Sequence, residues 1–260
     1  MTVVYVLAHF DDEYCALPLI RRGVAEGREQ RFIHVADYRD PQAGERRRRE
    51  TLAFLAAQGI APAMHLHLGA ETGWWDGELR RHAIPAWAAL GAAVPGPVER
   101  VVVPAWEGGH PDHDVCAALG VKLAAGRGGA PVDQFGLYQG QAMPWILYRA
   151  ATPLAENGPI HEIPLSLRER LAWLASVRAF PSQIKVWSGL VPALAMTAIG
   201  RPAFLYQSLD PRRIGERPHP GPLHYERMFR TPYDEVRQAV DGLAGVGYSP
   251  RAGVSRAGPA

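Results

Sequence analysis

"VVYVLAHFDDEYCALPLI", residues 3–20, sets a short β-branched apolar run against a cluster of one histidine and three carboxylates, His9 to Glu13. Val3–Ala8 has the pattern of a strand buried on both faces of a parallel sheet. The residues after the cluster, 13–27, read as a helix shaped by Pro18 and closed near Gly27. A strand that runs through a polar turn into a helix is the opening unit of an α/β fold, and the following sequence repeats it. "RFIHVAD" (31–37), "AMHLHL" (63–68) and "ERVVVPA" (99–105) are further strands. "GERRRRETLAFLAAQGI" (44–60) is a helix with Leu52, Leu55 and Ala56 on one stripe and Gly59 at its end. Strands alternating with helices predict a Rossmann-like, doubly wound, mostly parallel sheet flanked by helices, in one domain.

The second half is less regular. "SLRERLAWLASVRAF" (166–180) is a helix with a capping box at Ser166 and Glu169, a stripe of Leu167, Leu171, Leu174 and Val177, and Pro181 as its stop. Residues 210–224, rich in Pro, Gly and Arg, read as loop, 233–243 as a last helix and 245–260 as a flexible tail. The domain is therefore expected over 1–244, with a core to 185 and a less regular part over 186–244.

Composition narrows the function classes. The 28 Lys+Arg against 26 Asp+Glu leave a net charge of +2, so no global field draws the chain to nucleic acid or anionic membrane. Arg46 to Arg49 hint at phosphate, but three of the four suit a solvated helix face. No leader-like segment and no run of about 18 apolar residues is seen, and two cysteines far apart make no disulfide framework; a cytoplasmic protein without a membrane span is expected. The pattern leaves oligomeric state open.

In open α/β sheets ligands bind beyond the carboxyl ends of the strands. Two predicted strands end there in polar clusters: His9-Phe10-Asp11-Asp12-Glu13, and "WEGGHPDHD" (106–114) with His110, Asp112, His113 and Asp114. Imidazoles and a carboxylate are the donor set of a catalytic zinc site, and His9 and Asp12, three apart across a turn, can aim at one point. Pro111 suits a first helical position, with Asp112 and Asp114 complementing the helix dipole. His34, His65 and His67 lie in strand patterns without carboxylate neighbours and read as filling. Cys15 and Cys116, each three residues after a candidate ligand, read as small buried fillers.

These residues carry a resemblance. "AHFDDE" resembles the AHPDDE signature, and "GGHPDH" the HPDH signature, of the LmbE/PIG-L family of zinc-dependent N-acetylglucosaminyl deacetylases. "RRRETLAFLAAQGI" is similar to the family's Arg-x-x-Glu-Leu helix, "WWDGEL" to its Asp-Gly-x-Leu stretch and "FPSQ" (180–183) to its Ser-Gln element. The resemblance spans residue 1 to about 185. It implies zinc, or Fe2+, held by His9, Asp12 and His113; Asp11 as general base toward metal-bound water and then as acid toward the leaving amine; and a cationic His110 stabilising the oxyanion, its charge tuned by Asp112. Arg47 and Asp76 match positions that contact the sugar or its substituent. Trp75 beside Asp76 offers a stacking surface, and Phe10, where the family has proline, could line the pocket. Removal of acetyl from an N-acetylated amino-sugar conjugate, a small-molecule substrate, is the activity implied. The rivals are an amidase acting on a larger or non-sugar amide, and a metal- or sugar-binding module without turnover; a spare base at Asp11 argues against the latter.

Overall fold

The computed structural model describes residues 2–246; the expected tail lies, from residue 247 on, outside the described residues. Strands β1 (Thr2–Leu7), β2 (Glu29–His34), β3 (His65–His67), β4 (Val98–Pro104) and β5 (Val132–Phe135) run parallel. β7 (Ala203–Ser208) runs antiparallel to these and β6 (Ile160–Pro164) antiparallel to β7, completing a seven-stranded sheet in the order β3-β2-β1-β4-β5-β7-β6. The mostly parallel, doubly wound sheet expected from the sequence is the one observed. No helix among the described residues is long and apolar enough to cross a membrane.

Alternate residues of the buried strands feed two cores, as a period of two requires. Val4, Val6, Ile33 and Val35 pack with helices α4 (Ala83–Ala93), α5 (Pro111–Ala125) and α9 (Tyr233–Ala244). Val3, Tyr5, Leu7 and Phe32 face α1 (Asp12–Cys15), α2 (Leu17–Ala25), α3 (Pro41–Ala57), α6 (Leu167–Ala175) and α7 (Ile184–Gly200). A Cβ at Gly120 would collide with the Val103 side chain, so its glycine lets α5 lie close on β4.

Several local expectations shift. The first helix breaks in two at Ala16, with Pro18 in the first turn of α2. α3 begins at Pro41, where the Asp40 carboxylate accepts from the Gln42 N–H at 2.9 Å, and it buries Thr51, Phe54 and Leu55, whereas Ala56 is exposed. Its end follows the sequence: Gly59 has φ +85°, and the Ile60 N–H reaches the Leu55 carbonyl at 3.0 Å in a Schellman closure. α6 has the capping box at Ser166 and Glu169, but Leu167 and Leu171 are exposed by 60% and 54% and Trp173 is the residue it buries. The indole N–H of Trp173 donates to the Tyr14 carbonyl at 2.9 Å, which turns that face of the helix inward. The stretch 186–244 is more regular than expected, holding most of α7, together with β7, α8 (His224–Met228) and α9.

Candidate active site

The reversal in strand order falls between β1 and β4, and both polar clusters stand at the carboxyl ends of those two strands. After β1 the chain turns at Asp11, whose φ of 110° is a strained conformation for a residue with a Cβ. That turn folds the Asp12 carboxylate back, so that Oδ2 accepts from the N–H groups of Ala8 at 2.9 Å and His9 at 2.8 Å. Oδ1 is left facing the second cluster. After β4, His110 caps α5 through Nδ1, which accepts the Asp112 N–H at 3.2 Å, with Pro111 at the first helical position. His113, one turn in, points back at Asp12.

The two clusters meet. His113 Nε2 lies 3.0 Å from Asp12 Oδ1 and 3.3 Å from His9 Nδ1, and His9 Nδ1 lies 3.8 Å from Asp12 Oδ1. Tetrahedral zinc, with bonds of about 2.0–2.1 Å, places its ligand atoms roughly 3.3 Å apart, so these three donors fit such an ion. Donor atoms of His9, His110 and His113, and of His9, Asp76 and Asp112, also lie within 4.8 Å of one another. His9, Asp12 and His113 are preferred because His110 Nδ1 and the Asp112 carboxylate are already occupied. Asp112 Oδ2 accepts from the Gly77 N–H at 2.7 Å and faces His9 Nε2 at 3.2 Å, and Oδ1 accepts from the Leu79 N–H at 3.0 Å.

The Asp112 charge works to raise the His110 pKa, in line with the expected tuning, and the carboxylate has a further task. It orients His9 and the loop carrying Asp76, and does not bond the His110 ring. A carboxylate on the far nitrogen of a metal-binding imidazole fixes the ring and its tautomer, and losing it typically costs 10–100-fold in metal affinity. Asp112→Asn is expected to weaken metal binding within about that range, read by competition with a chelator; unchanged affinity would contradict the assignment.

The electrostatics follow from crowding in a buried place. Burial opposes charge on His9, but Asp76, Asp112 and Asp12 outweigh it and hold its pKa well above the usual imidazole value. Burial also works to raise Asp12, yet His113 and His9 keep it well below the carboxylate range. Asp11 goes the other way, raised by burial and by the neighbouring charges of Asp12 and Glu13. His110 is lowered to about 3 by burial and by His9. It is therefore neutral at pH 7, not the cation expected, and since Nδ1 accepts a backbone N–H its proton sits on Nε2. Asp76, although desolvated, is held low by His9, His110 and Arg47.

These groups form the floor of a cavity of about 430 Å³ that includes His9, Asp11, Asp12, Arg47, Asp76, His110 and His113. Asp76 Oδ1 lies 3.1 Å from His9 Nε2, and Arg47 stands 3.8 Å from Asp76 Oδ2 with its guanidinium over the Tyr38 ring. Arg46, Arg48 and Arg49 turn to solvent. Two more resembling elements, far apart in sequence, dock beside this floor: Glu50 accepts from the Ser182 hydroxyl at 2.6 Å and N–H at 3.0 Å, and Gln183 enters the cavity wall.

Two candidates lie elsewhere. Phe10 is fully buried among the rings of His34, Tyr38, His65 and His67 at 4.7–5.8 Å and does not line the cavity. The N–H that proline would lack donates to the Tyr38 hydroxyl at 2.8 Å, which replaces the lost restraint on the turn. Phe10→Ala should cost about 3–5 kcal/mol of stability, measured by urea unfolding, with no change in substrate preference; a changed preference would return Phe10 to the pocket. Trp75 stands over a separate cavity of about 280 Å³ with Tyr38, Arg48 and His67, under the Arg39 guanidinium, and Trp74 is core. The side chain of Trp75 leaves the loop on the opposite side from Asp76.

Other wall residues had no sequence signal. Tyr138 stacks on His113 with ring centres 5.7 Å apart and planes 8° apart, and Tyr148, Ile146, Lys185, Val186, Met228 and Phe229 continue the wall. His224, at the start of α8, is buried with its ring nitrogens 3.0 and 3.1 Å from the Gly109 and Ile146 carbonyls; His219 and Glu226 are not in the wall. Cys15 and Cys116 are free and buried behind the site, with burial pushing both thiols up.

Tyr138 is held by a buried acid. Glu107 Oε1 accepts from the Leu137 and Tyr138 N–H groups at 2.8 and 2.6 Å, Oε2 has no partner, and burial pushes its pKa up to about 8 from the usual 4.5. The folded state thus keeps a proton that the unfolded chain releases. The stability this contributes is complete below about pH 4.5 and is lost as pH rises to about 8. Glu107→Gln, which keeps the accepting oxygen, should flatten the fall of unfolding free energy across that window; an unaltered slope would contradict the protonated state.

No family model and no curated protein matches the sequence. The fold is shared with solved deacetylase structures. A triple mutant of the deacetylase Orf2*T of teicoplanin biosynthesis aligns at TM-score 0.58 and 16% identity, over 81% of this chain and 98% of that one. The zinc-inhibited form of teicoplanin deacetylase Orf2 aligns at 0.57 and 13%, over 81% and 99%. N,N'-diacetylchitobiose deacetylase from Pyrococcus horikoshii aligns at 0.55 and 16%, over 84% and 87%.

Proposed function

We propose that this protein is a metal-dependent amide hydrolase of the LmbE/PIG-L type that removes the acetyl group from an N-acetylated amino-sugar conjugate, with zinc or Fe2+ held by His9, Asp12 and His113. The observation that carries this reading is the convergence, within 3.0–3.8 Å, of three donor atoms from two strand ends beside an uncommitted carboxylate, Asp11. When bound, the ion supplies the positive charge that activates water and polarises the amide carbonyl.

The chain's own residues supply the remaining steps. Asp11, set in the cavity by its strained turn, takes a proton from the attacking water and returns it to the amine nitrogen as the C–N bond breaks. A carboxyl of raised pKa suits both tasks, being the stronger base when ionised and a competent acid afterwards. The neutral His110 donates from Nε2 to the oxygen that becomes negative, a fixed dipole in a water-poor place. Arg47 and Asp76 offer a cation and an acceptor to sugar hydroxyls, and Asp112 keeps His9 in register. Two unpaired cysteines support a cytoplasmic setting.

Release of primary amine from a panel of N-acetylglucosamine conjugates by metal-loaded protein tests this reading, with free acid counted alongside. Equal amounts of amine and acid are expected. Tight sugar binding without either product would favour a binding module instead.

A further inference from the structure

His34 and His65, which read from the sequence as filling without a carboxylate neighbour, are joined to one in the fold. Glu13 is fully buried, and its Oε2 accepts the Asp11 N–H at 3.2 Å. His34, fully buried on β2, places Nε2 3.1 Å from the same oxygen. His65, on the edge strand β3 and partly exposed, places Nε2 3.2 Å from His34 Nδ1. A carboxylate oxygen that accepts one N–H accepts the second, so His34 Nε2 donates to Glu13 and one proton lies between the two imidazoles. A line of side-chain bonds therefore runs from the edge of the sheet to the backbone of Asp11, and none of its three members lines the cavity.

Asp11 needs such a hold. A residue with a Cβ keeps a φ of 110° only where its surroundings impose it, and the Asp11 side chain makes no capping bond to α1. The peptide after Asp11 is fixed by α1, its carbonyl accepting the Tyr14 N–H at 3.0 Å. The peptide before it is fixed at two points, where the Phe10 carbonyl accepts from Gln183 Nε2 at 3.4 Å and the Asp11 N–H donates to Glu13. A bond of 3.4 Å is long, so Glu13 is the firmer of the two. Glu13 holds its place in turn through His34, and the Phe10 ring, 4.8 Å from His34 and 5.8 Å from His65, fills the space into which the imidazoles could turn. We propose that Glu13, His34 and His65 form a clamp that sets the direction of the Asp11 carboxylate, with His34 as its central positioning residue. This rests on the amide-hydrolase reading above, in which Asp11 is the base.

The test compares zinc-loaded wild type with His34→Leu, which removes both ring nitrogens, and His34→Gln, which keeps an N–H where Nε2 stands. Three quantities are measured: kcat and KM on an N-acetylglucosamine conjugate, metal per chain, and hydrogen exchange of the Asp11 amide by NMR, which needs no turnover. His34→Leu should lower kcat by roughly tenfold to 100-fold, the cost of about 1 Å of misplacement, with KM and metal content unchanged. Its Asp11 amide should exchange about tenfold faster or more, as a freed N–H does. His34→Gln should recover both quantities, because the bond to Glu13 is kept. His65→Leu, at the sheet edge, should lower kcat by roughly threefold to tenfold, what one hydrogen bond is worth, and it decides on the same readings if His34→Leu does not fold. With an active wild type, unchanged kcat in His34→Leu, or equal losses in His34→Leu and His34→Gln, would overturn the proposal. A loss confined to metal content or melting midpoint would overturn it too, by making His34 a packing residue only. If wild type turns nothing over but the Asp11 amide loosens in His34→Leu and not in His34→Gln, the clamp stands and the hydrolase reading fails. If neither turnover nor a loosened amide is seen, both fall.

Discussion

Asp11→Asn is expected to lower turnover by about 10²–10⁴-fold while the protein keeps its fold and its metal. Asp11 is the carboxylate in the first cluster that neither bonds a strand-end N–H nor faces His113, so removing its charge leaves the donor triad intact. Asparagine tolerates positive φ better than most residues, so the turn at 110° survives the change. What it lacks is the ability to take a proton. Metal content per chain and the melting midpoint are the controls, and turnover within threefold of wild type would remove Asp11 from the chemistry.

Asp12→Ala is expected to do the opposite kind of damage, abolishing metal retention and destabilising the metal-free protein. One oxygen of Asp12 faces the two histidines, and the other satisfies two buried N–H groups at the end of β1. Leaving those donors unpaired should cost about 2–4 kcal/mol, read as a lowered urea midpoint without metal present. His113→Ala is the comparison, since its ring holds no backbone group and should lose metal without exposing those donors. If Asp12→Ala retained metal as well as wild type does, the assigned triad would be wrong.

What the sequence made legible was local and repeated. β1 and β4 announced themselves as unbroken apolar runs because both faces are buried, and each runs into a dense polar motif that needs no distant partner to be noticed. β5 did not: its Asp133 and Gln134 are buried in the sheet, where Arg100 pairs with Asp133 and the Trp106 N–H donates to Gln134 Oε1, and no local pattern reports such partners. Residue type predicted which side chains could act, but not where each would point. Asp76 and Trp75 are adjacent, yet only one faces the cavity, because the chain turns at Asp76 and Gly77. Phe10 follows the same logic, turning into the histidine cluster while Asp11 turns out. The stripe on α6 misled because Leu167 and Leu171 lie on the face the sheet does not cover, and the burial signal was carried by a single Trp173. The apolar wall is assembled from residues 138 to 229, too widely spaced to read as one motif.

The central claim is that one metal ion, held by His9, Asp12 and His113, makes this chain an amide hydrolase. Its most direct test is to strip the protein with a chelator and follow amine release from an N-acetylglucosamine conjugate as zinc or Fe2+ is titrated back. The account predicts no release from stripped protein, and a rise to a plateau at one equivalent per chain. Release that persists in stripped protein, or a fully loaded chain that releases none across the panel of N-acetylglucosamine conjugates, would contradict it.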